Sequence, residues 1–344
     1  MSVDLSTDYL GLSLRSPLVA SASPMTGEVD AVRRLEAAGI GAIVLPSLFE
    51  EEIVSEEIEF SRALDAGTDQ YAEALDYFPD VASFVGAGDR YLRRLETIRA
   101  GATVPVIASL NASSAGGWIE YARRLQDAGA DALELNVYRV ATDAGRDAAA
   151  MESDDLELIR AVRSAITIPL AVKLSPYYTA MASFAARAVA AGADGLVLFN
   201  RFYQPDLDLE ELDVVARVEL SRPWELRLPM LWIAVLRPRL GIGVSIGATS
   251  GIHHGTDALK ALMVGADVAM MTSAILRHGP DHVRTVEGQL RDWMVEHEYV
   301  SVDQLRGSAS QASVADPAAY ERADYMRTLH SWSTPSDRMP AVIP

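Results

Sequence analysis

The sequence predicts a (β/α)8 barrel, the TIM-barrel fold, with insertions after the second and sixth strands and a C-terminal helical extension. A unit in which a helix ends at a glycine and a strand follows at once occurs four times, and a second type of apolar strand lies between its copies. Near-continuous apolar strands are typical of a parallel sheet covered by helices on both faces. Eight such units close into a barrel. An open, doubly wound sheet is the alternative, but it does not explain the two alternating strand types.

The repeated unit supplies the even-numbered strands. Its copies are Arg33–Ser47, Arg123–Asn136, Arg187–Asn200 and Lys260–Ser273. In each copy a glycine stands just after the helix, where a left-handed conformation ends the helix, and a short run of β-forming residues follows. The odd-numbered strands are predicted at Ser16–Pro24, Thr103–Asn111, Thr167–Ser175 and Gly241–Gly251.

Helices and additional segments follow from the same pattern. Helices are predicted at Ala115–Ala128, Asp154–Ile166, Met181–Ala191 and Asp257–Val264. Leu5–Leu14 is predicted to form a hairpin below the barrel. The insertions Glu50–Asp80 and Arg201–Leu228 leave the carboxyl ends of strands, so they are candidate lids. We divide the chain into a barrel domain, residues 1–300, and an extension, residues 301–344, in which Asp316 and Pro317 begin one more helix.

The composition excludes several classes of function. The formal net charge of −18 repels nucleic-acid phosphates and anionic membrane surfaces. Because there is no cysteine, this chain has no disulfides, thiolate nucleophile or iron–sulfur ligands. The N-terminus lacks a signal-peptide pattern, and the longest charge-free run, Ala100–Ile119, contains proline and glycine. We therefore expect a cytoplasmic protein with no membrane or nucleic-acid partner.

The functional side chains of a barrel lie at the carboxyl ends of its strands. In this chain those ends are rich in hydroxyl and amide residues, with one lysine, Lys173, and no carboxylate. The turns after strands 7 and 8, GATSGI and MMTSAIL, place Gly251, Thr272 and Ser273 where backbone N–H groups approach an anion. A phosphate site is predicted there, with ordinary tight turns and helix caps as the alternative.

Lys173 interrupts the apolar strand AVKLS. Strand alternation points it into the barrel mouth, where it either neutralises an anionic ligand or forms a Schiff base. A structural lysine that pairs with a buried carboxylate is the alternative. Asn136 and Asn200 each end an apolar strand, and their amides suit the edge of a planar heterocycle. His253 and His254 have no partners at metal-ligand spacing, so no metal site is predicted.

These residues resemble the dihydroorotate dehydrogenase family, the FMN-dependent barrels of pyrimidine biosynthesis, and its soluble branch in particular. The resemblance extends from about Leu10 to Leu305. The motifs that carry it are LRSPLVASASP in strand 1, PVIASLN in strand 3, ALELNV in strand 4, LAVKLSPYY in strand 5 and GATSGIHHGTDALKALMVGADVAMMTSAIL through strands 7 and 8.

The resemblance implies FMN as the cofactor. The implied contacts are Ala22 and Ser23 against the flavin, Ser47 at the ring or ribityl chain, Ser109 and Asn136 at the isoalloxazine edge, Lys173 beside N1 and O2, and Gly251, Thr272 and Ser273 at the phosphate. The substrate is then a small molecule. An electron-acceptor protein, where one is used, is a separate chain because this one has no cysteine for a cluster. We also expect a homo-oligomer.

The substrate half departs from the family pattern. Pro46 stands where the family has a lysine, and Arg139 stands where it has the cysteine or serine base, three residues past Asn136. The substrate-binding candidates are Asn136, Asn200 and Arg139, of which Arg139 suits a carboxylate. The catalytic candidates are Lys173, Arg139 and Tyr138, and Thr142 and Ser175 are further candidates for the base. Because arginine is no base at ordinary pH, we expect dihydroorotate oxidation to be slow or absent.

The sequence is compatible with three functions. The first is an FMN-dependent dehydrogenase that acts on the CH–CH group of a dihydropyrimidine. The second is a lyase or aldolase for a phosphorylated substrate, with Lys173 as the Schiff-base nucleophile. The third is a flavin-binding or interaction protein without catalysis. Uptake of FMN separates the first from the second.

Overall fold

Twelve strands are present in the computed structural model of the chain, which describes residues 3–53, 86–111, 118–137, 139–201, 205–321 and 323–331. In chain order they are β1 (Thr7–Tyr9), β2 (Leu12–Leu14), β3 (Leu18–Ala20), β4 (Ala42–Phe49), β5 (Val106–Asn111), β6 (Ala132–Asn136), β7 (Leu170–Leu174), β8 (Gly195–Leu198), β9 (Asp206–Asp208), β10 (Asp213–Val215), β11 (Ser245–Thr249) and β12 (Val268–Met271). Strands β3 to β8, β11 and β12 close into a parallel barrel, in which β12 pairs with β3. The predicted (β/α)8 barrel is confirmed.

Helices connect the strands of the barrel and cover it. They are α1 (Val29–Ala38), α2 (Ala87–Gly101), α3 (Trp118–Asp127), α4 (Ala148–Ala165), α5 (Met181–Ala190), α6 (Arg227–Leu240), α7 (Gly255–Val264), α8 (Ser273–His278), α9 (His282–Glu296), α10 (Val302–Leu305) and α11 (Ala323–His330). In the described ranges, no helix is long and apolar enough to cross a membrane.

The repeated unit has the predicted helix ends. Its four glycines, Gly39, Gly129, Gly192 and Gly265, all have φ between 92° and 121°, which is the left-handed region that glycine favours. One helix start was predicted wrongly. Helix α4 begins at Ala148, not Asp154, because the Asp147 carboxylate accepts a hydrogen bond from the Ala150 N–H at 2.8 Å and caps an earlier turn.

Strand alternation divides the core into two parts. In β7, Val172 and Leu174 belong to the large cluster between the barrel and its helices. Ala171 belongs to the smaller cluster inside the barrel, and Lys173 lines the mouth. The predicted inward direction of Lys173 is therefore confirmed.

The N-terminal hairpin closes the lower end of the barrel. Strands β1 and β2 are antiparallel, and Tyr9, Leu10 and Leu14 pack against the residues that fill the barrel interior. The Leu10 N–H donates a hydrogen bond to Ser245 Oγ at 2.8 Å, at the start of β11. The predicted hairpin below the barrel is confirmed.

Both predicted insertions leave the mouth. Residues 50–53 after β4 are helical, and the rest of that insertion lies outside the described residues up to position 85. The insertion after β8 contains the antiparallel pair β9–β10, a 3-10 helix at Pro223–Leu226 and the first residues of α6. A lid role for either insertion stays a prediction.

The C-terminal extension packs on the barrel as far as Tyr320. Val302 and Leu305 share a cluster with Leu259 of α7 and Leu290 of α9, and Tyr320 packs against the main core. The predicted single helix from Asp316 is wrong, because the chain forms a 3-10 helix at Pro317–Tyr320 and then the separate helix α11. The boundary at residue 300 stays a prediction.

Candidate functional site

A cavity of about 360 Å³ lies at the carboxyl ends of the barrel strands, within the size range of small-molecule sites. Eight predicted site residues line it: Ala22, Ser47, Asn136, Lys173, Asn200, Gly251, Thr272 and Ser273. The other lining residues are Ser21, Phe49, Asn111, Phe199, Arg201, Ser221, Thr249, Ser250, Ile252 and Met270. Because strand ends meet at one rim of a barrel, residues far apart in sequence form a single site.

Lys173 is paired with a carboxylate that strand-end reasoning missed. Its Nζ lies 3.3 Å from Oε1 of Glu134, and the exposed fractions of the two side chains are 9% and 1%. Glu134 lies in the middle of β6 rather than at its end. The signal that was available is the alternation of β6, which puts Glu134 on the same inward face as Asn136, two residues later.

A hydrogen-bonded series of side chains crosses from β6 to β4 and β5. Asn136 Nδ2 donates to Ser47 Oγ at 3.0 Å, and Ser47 Oγ lies 2.8 Å from Ser109 Oγ. Ser109 is fully buried and does not line the cavity, so it supports Ser47 from behind. Asn136 Oδ1 is buried without a hydrogen-bond partner among the described residues.

Pro46 alters the strand that carries Ser47. The pairing of β4 with β5 shifts register between Val44 and Ser47, and Pro46 lies inside this irregularity. Proline has no N–H for the ladder, so within a sheet it belongs at a bulge, and a bulge changes the direction of the residues that follow. Pro46, which stands where the family has a lysine, therefore lies at an irregularity in the pairing of β4 with β5.

The two predicted phosphate turns are joined by Ser221. Its N–H donates to Ser273 Oγ at 2.9 Å, and its Oγ accepts from the Gly251 N–H at 3.4 Å. His253 Nε2 lies 3.2 Å from the same Oγ, and burial lowers the pKa of His253. Burial thus favours the neutral form of this imidazole. Ser250 and Gly251 have φ of 74° and 79°, so consecutive left-handed residues shape this turn.

Arg201 brings a second cation to the cavity. Its Nε lies 3.0 Å from Glu225 Oε2, its Nη2 lies 3.4 Å from Glu225 Oε1, and its Nη1 donates to the Glu219 carbonyl. Glu225 Oε1 also accepts from the Arg222 N–H at 2.8 Å, at the start of the 3-10 helix. The Arg201 charge is thus held and neutralised by the insertion after β8.

Besides Ser109, two predicted residues of the described part of the chain, Ser23 and Arg139, are not part of the cavity lining. Ser23 is buried just before a 3-10 helix at Pro24–Gly27, where its N–H donates to Thr26 Oγ1 at 3.1 Å. Tyr138 lies outside the described residues. Arg139 points away, towards Asp154 at 3.3 Å and Asp155 at 3.5 Å, and lines a second cavity beside α4. The structure therefore separates Arg139 from the other substrate-binding candidates, Asn136 and Asn200.

Arg139→Ala is expected to lower the free energy of unfolding by about 1–3 kcal/mol, because a buried charged group loses a partner. Asp155 is only 5% exposed, and its other contact is the Tyr178 hydroxyl at 3.0 Å. Burial already raises the pKa of Asp155. The folded state of the variant then binds a proton more readily than the unfolded state, so the stability loss grows as pH rises from about 4 to 7.

Urea denaturation at several pH values measures this loss. Arg146→Ala is the matched control, because Arg146 pairs with the more exposed Asp154 at the same cavity, and little change is expected. Unchanged stability in Arg139→Ala, together with a raised KM for an anionic substrate, would show that Arg139 reaches the substrate instead.

The fold and the cavity define the class of this protein. It is a (β/α)8 barrel whose mouth combines paired small-residue turns after the last two strands with a buried lysine–carboxylate pair. Within the ranges the structure describes, no three histidine or carboxylate side chains come together as metal ligands. The family model described as dihydroorotate dehydrogenase matches residues 69–294. The chain belongs to this family, whose members are oxidoreductases of pyrimidine metabolism.

Several proteins similar in sequence to this chain are named as dihydropyrimidine or dihydroorotate dehydrogenases. The chain is 23% identical to the chloroplastic dihydropyrimidine dehydrogenase (NADP(+)) of Arabidopsis thaliana, over 90% of this chain and 77% of that protein. It is 28% identical to a putative dihydroorotate dehydrogenase A (fumarate) of Aeropyrum pernix, over 61% and 69%. It is 25% identical to the catalytic subunit of dihydroorotate dehydrogenase B (NAD(+)) of Methanothermobacter thermautotrophicus, over 89% and 98%.

Proposed function

We propose that this chain is an FMN-dependent oxidoreductase that acts on the CH–CH group of a dihydropyrimidine. The observation that carries the proposal is Asn136 Oδ1, which is buried without a hydrogen-bond partner among the described residues, on a side chain that lines the cavity beside Lys173. A buried acceptor left unpaired costs about 1–3 kcal/mol. The site therefore suits a ligand with an N–H donor, and the polar edge of the flavin ring has an imide N–H.

The residues present also fit the rest of FMN. The start of α8 at Thr272 and Ser273 offers backbone N–H groups to a phosphate, since the first N–H groups of a helix have no intrahelical partner. Gly251 stays a predicted phosphate contact, and its N–H makes a long hydrogen bond of 3.4 Å to Ser221 Oγ. Ser47 and Asn136 would hold the polar edge of the ring. Ser23, Ser109 and Ala22 stay predicted contacts, of which Ala22 lines the cavity.

The cavity assigns separate roles to the side chains. When bound, FMN supplies the hydride acceptor for oxidation of a substrate C–H bond. Lys173 holds positive charge against the ligand, and Glu134 fixes the position of its ammonium group. The Asn200 amide orients a planar substrate through one donor and one acceptor.

Oxidation of the CH–CH group removes a hydride from one carbon and a proton from the other. We propose that Tyr138, which follows β6 in the sequence, is the base that removes this proton. The other candidates lie away from the cavity, since Ser175 lines the second cavity and Thr142 is exposed. A phenol is mostly protonated at neutral pH, so only a small fraction of an ordinary tyrosine is present as the base. The electron acceptor, a homo-oligomeric state and a cytoplasmic location are parts of the same proposal.

The purified protein is expected to be yellow and to contain stoichiometric FMN. Absorbance spectroscopy, followed by heat release and chromatographic identification of the flavin, measures this. A colourless protein that does not take up added FMN would contradict the proposal and favour the lyase alternative, in which Lys173 attacks a phosphorylated carbonyl substrate. Against that alternative, Glu134 holds the Lys173 amine in an ion pair, whereas a Schiff-base nucleophile has to be a free amine.

Dihydroorotate is expected to reduce the bound flavin slowly or not at all under anaerobic conditions. A positioned base contributes about 10²- to 10⁴-fold to the rate, and Arg139 occupies the family's base position without facing the cavity. Stopped-flow absorbance follows the bleaching, with dithionite as the control for a reducible flavin. Fast, complete bleaching by dihydroorotate would mean that a base elsewhere in the mouth serves the reaction fully.

A further inference from the structure

We propose that the substrate of this site is an uncharged dihydropyrimidine ring, and that the Arg201–Glu225 ion pair excludes the carboxylated ring of dihydroorotate. This inference rests on the proposed function and narrows its substrate class. It follows from the ion pairs that the cationic side chains of the cavity make and from the uncharged amide side chains beside them.

A carboxylate that enters the mouth needs a cation that can bind it. In the described part of the lining, the cationic side chains are Lys173 and Arg201. Lys173 is paired with Glu134 at 3.3 Å and is the residue that the proposed function assigns to the flavin. Arg201 is therefore the cation available to a substrate anion.

Arg201 already has a carboxylate partner in a two-point arrangement. Glu225 receives Nε and Nη2 on separate oxygens at 3.0 and 3.4 Å, and the Glu219 carbonyl receives Nη1. A guanidinium held in this way presents little positive potential to a second carboxylate, because two like charges would share one cation. Removing the Glu225 carboxylate from Arg201 to admit a substrate would leave it unpaired.

Glu225 is itself fixed in place. Its Oε1 accepts the Arg222 N–H at 2.8 Å, within the 3-10 helix at Pro223–Leu226, and its side chain is only 20% exposed. The carboxylate cannot turn away from Arg201 without losing this helix contact. The backbone of the insertion after β8 thus holds the Glu225 carboxylate against Arg201, where it balances the charge of the guanidinium.

Two other arginines of the described residues, Arg139 and Arg222, lie near this end of the barrel but do not line the cavity. Arg139 is paired with Asp154 and Asp155 outside the cavity. Arg222 is exposed and lines a neighbouring cavity together with Arg201, and its backbone N–H group is what contacts Glu225. Among the described residues, neither of these arginines adds a cation to the cavity lining.

The polar groups that remain suit an uncharged ring. Asn111 and Asn200 line the cavity together with Asn136, and each amide offers both a donor and an acceptor. The ring edge of a dihydropyrimidine alternates N–H and C=O groups, so amides match it without any net charge. Burying a carboxylate beside the same amides would be unfavourable, since a charge taken out of water needs an opposite charge.

Equilibrium binding to the FMN-loaded full chain tests the inference without turnover. Uracil and orotate are the probes, because they are the same ring without and with the carboxylate. Calorimetry and the perturbation of the flavin spectrum are expected to give a dissociation constant at least about tenfold lower for uracil. Equal or tighter binding of orotate would overturn the inference and leave the proposed function standing.

Glu225→Gln supplies the decisive variant. Glutamine keeps the acceptor for the Arg222 N–H but removes the negative charge, so orotate binding is expected to tighten about tenfold while uracil binding stays within about threefold. Glu219→Gln is the matched control, since it removes one charge from the same loop and keeps the backbone carbonyl that accepts the hydrogen bond from Arg201. An unchanged ratio in Glu225→Gln, or an equal change in both variants, would overturn the role of the ion pair.

The remaining outcomes are also informative. Protein that retains FMN but binds neither probe would overturn the dihydropyrimidine class, and with it this inference. Protein that retains no FMN would overturn the proposed function itself. In the double variant Arg201→Gln with Glu225→Gln, the gain in orotate binding should disappear, and its persistence would show that another cation binds the carboxylate.

Discussion

Replacing Lys173 with methionine is expected to lower the free energy of unfolding by about 3–5 kcal/mol, because one partner of a buried ion pair is lost. Glu134 is fully buried, its Oε1 lies 3.3 Å from Lys173 Nζ, and its Oε2 has no hydrogen-bond partner among the described residues. The remaining carboxylate would be charged and unpaired inside the barrel. Methionine keeps the length of the side chain, so lost packing contributes little.

The double variant Glu134→Gln with Lys173→Met distinguishes the effect of an unpaired buried charge from the effect of losing Lys173 itself. It removes both charges, and its stability is expected to return towards the wild-type value in urea denaturation, since an apolar or neutral replacement of a buried pair is often tolerated. In Lys173→Met the potential of the bound flavin is expected to fall, because the cation that stabilises the reduced anion is gone and the Glu134 carboxylate remains. In the double variant the fall is expected to be smaller, because both charges are removed. Equal stability of wild type and Lys173→Met would contradict the buried pair, and an unchanged potential would make Lys173 purely structural.

Gly251→Ala is expected to destabilise the protein and to abolish FMN retention. The residue has φ of 79°, and a Cβ built on it lies 2.4 Å from the Leu226 backbone nitrogen. The left-handed conformation alone costs a non-glycine residue about 1–2 kcal/mol, and the contact with a rigid backbone adds to this cost. The turn must move, and it carries one of the proposed phosphate contacts.

Gly11→Ala is the matched control for the conformational cost. Gly11 has φ of 72°, and a Cβ there meets no atom within 4 Å. Its stability loss in thermal denaturation should equal the left-handed cost alone, with FMN retained. Gly251→Ala protein that is as stable as Gly11→Ala and still holds stoichiometric FMN would contradict the tight contact and place the phosphate elsewhere.

The sequence was sufficient to predict the barrel and most of the cavity lining. In a parallel barrel the carboxyl end of each strand reaches the same rim, so the position of a residue along its strand also gives its position in the fold. For this reason Asn136, Lys173 and Ser273 were predicted together, although they are far apart in the chain. The four left-handed glycines marked where each repeated strand begins.

Side chains whose direction depends on partners were harder to predict. Arg139 was placed by its distance from Asn136, but Asp154 and Asp155, on a helix that begins earlier than predicted, draw it out of the mouth. Glu134 was treated as part of an apolar strand, because only the paired lysine makes its burial favourable. Arg201 was predicted as the first residue of the insertion after strand 6, but its ion pair depends on Glu225, which lies 24 residues further along that insertion.

The hairpin of β1 and β2 closes one end of the barrel and leaves the mouth open. Tyr9 and Leu10 close the floor from below, so in the described structure the route to the bottom of the cavity is from the mouth. Molecules that react at the same deep position then have to enter and leave one after another. For the function proposed above, entry from the mouth predicts a double-displacement order, in which the oxidised product departs before an electron acceptor approaches, rather than one ternary complex of all reactants.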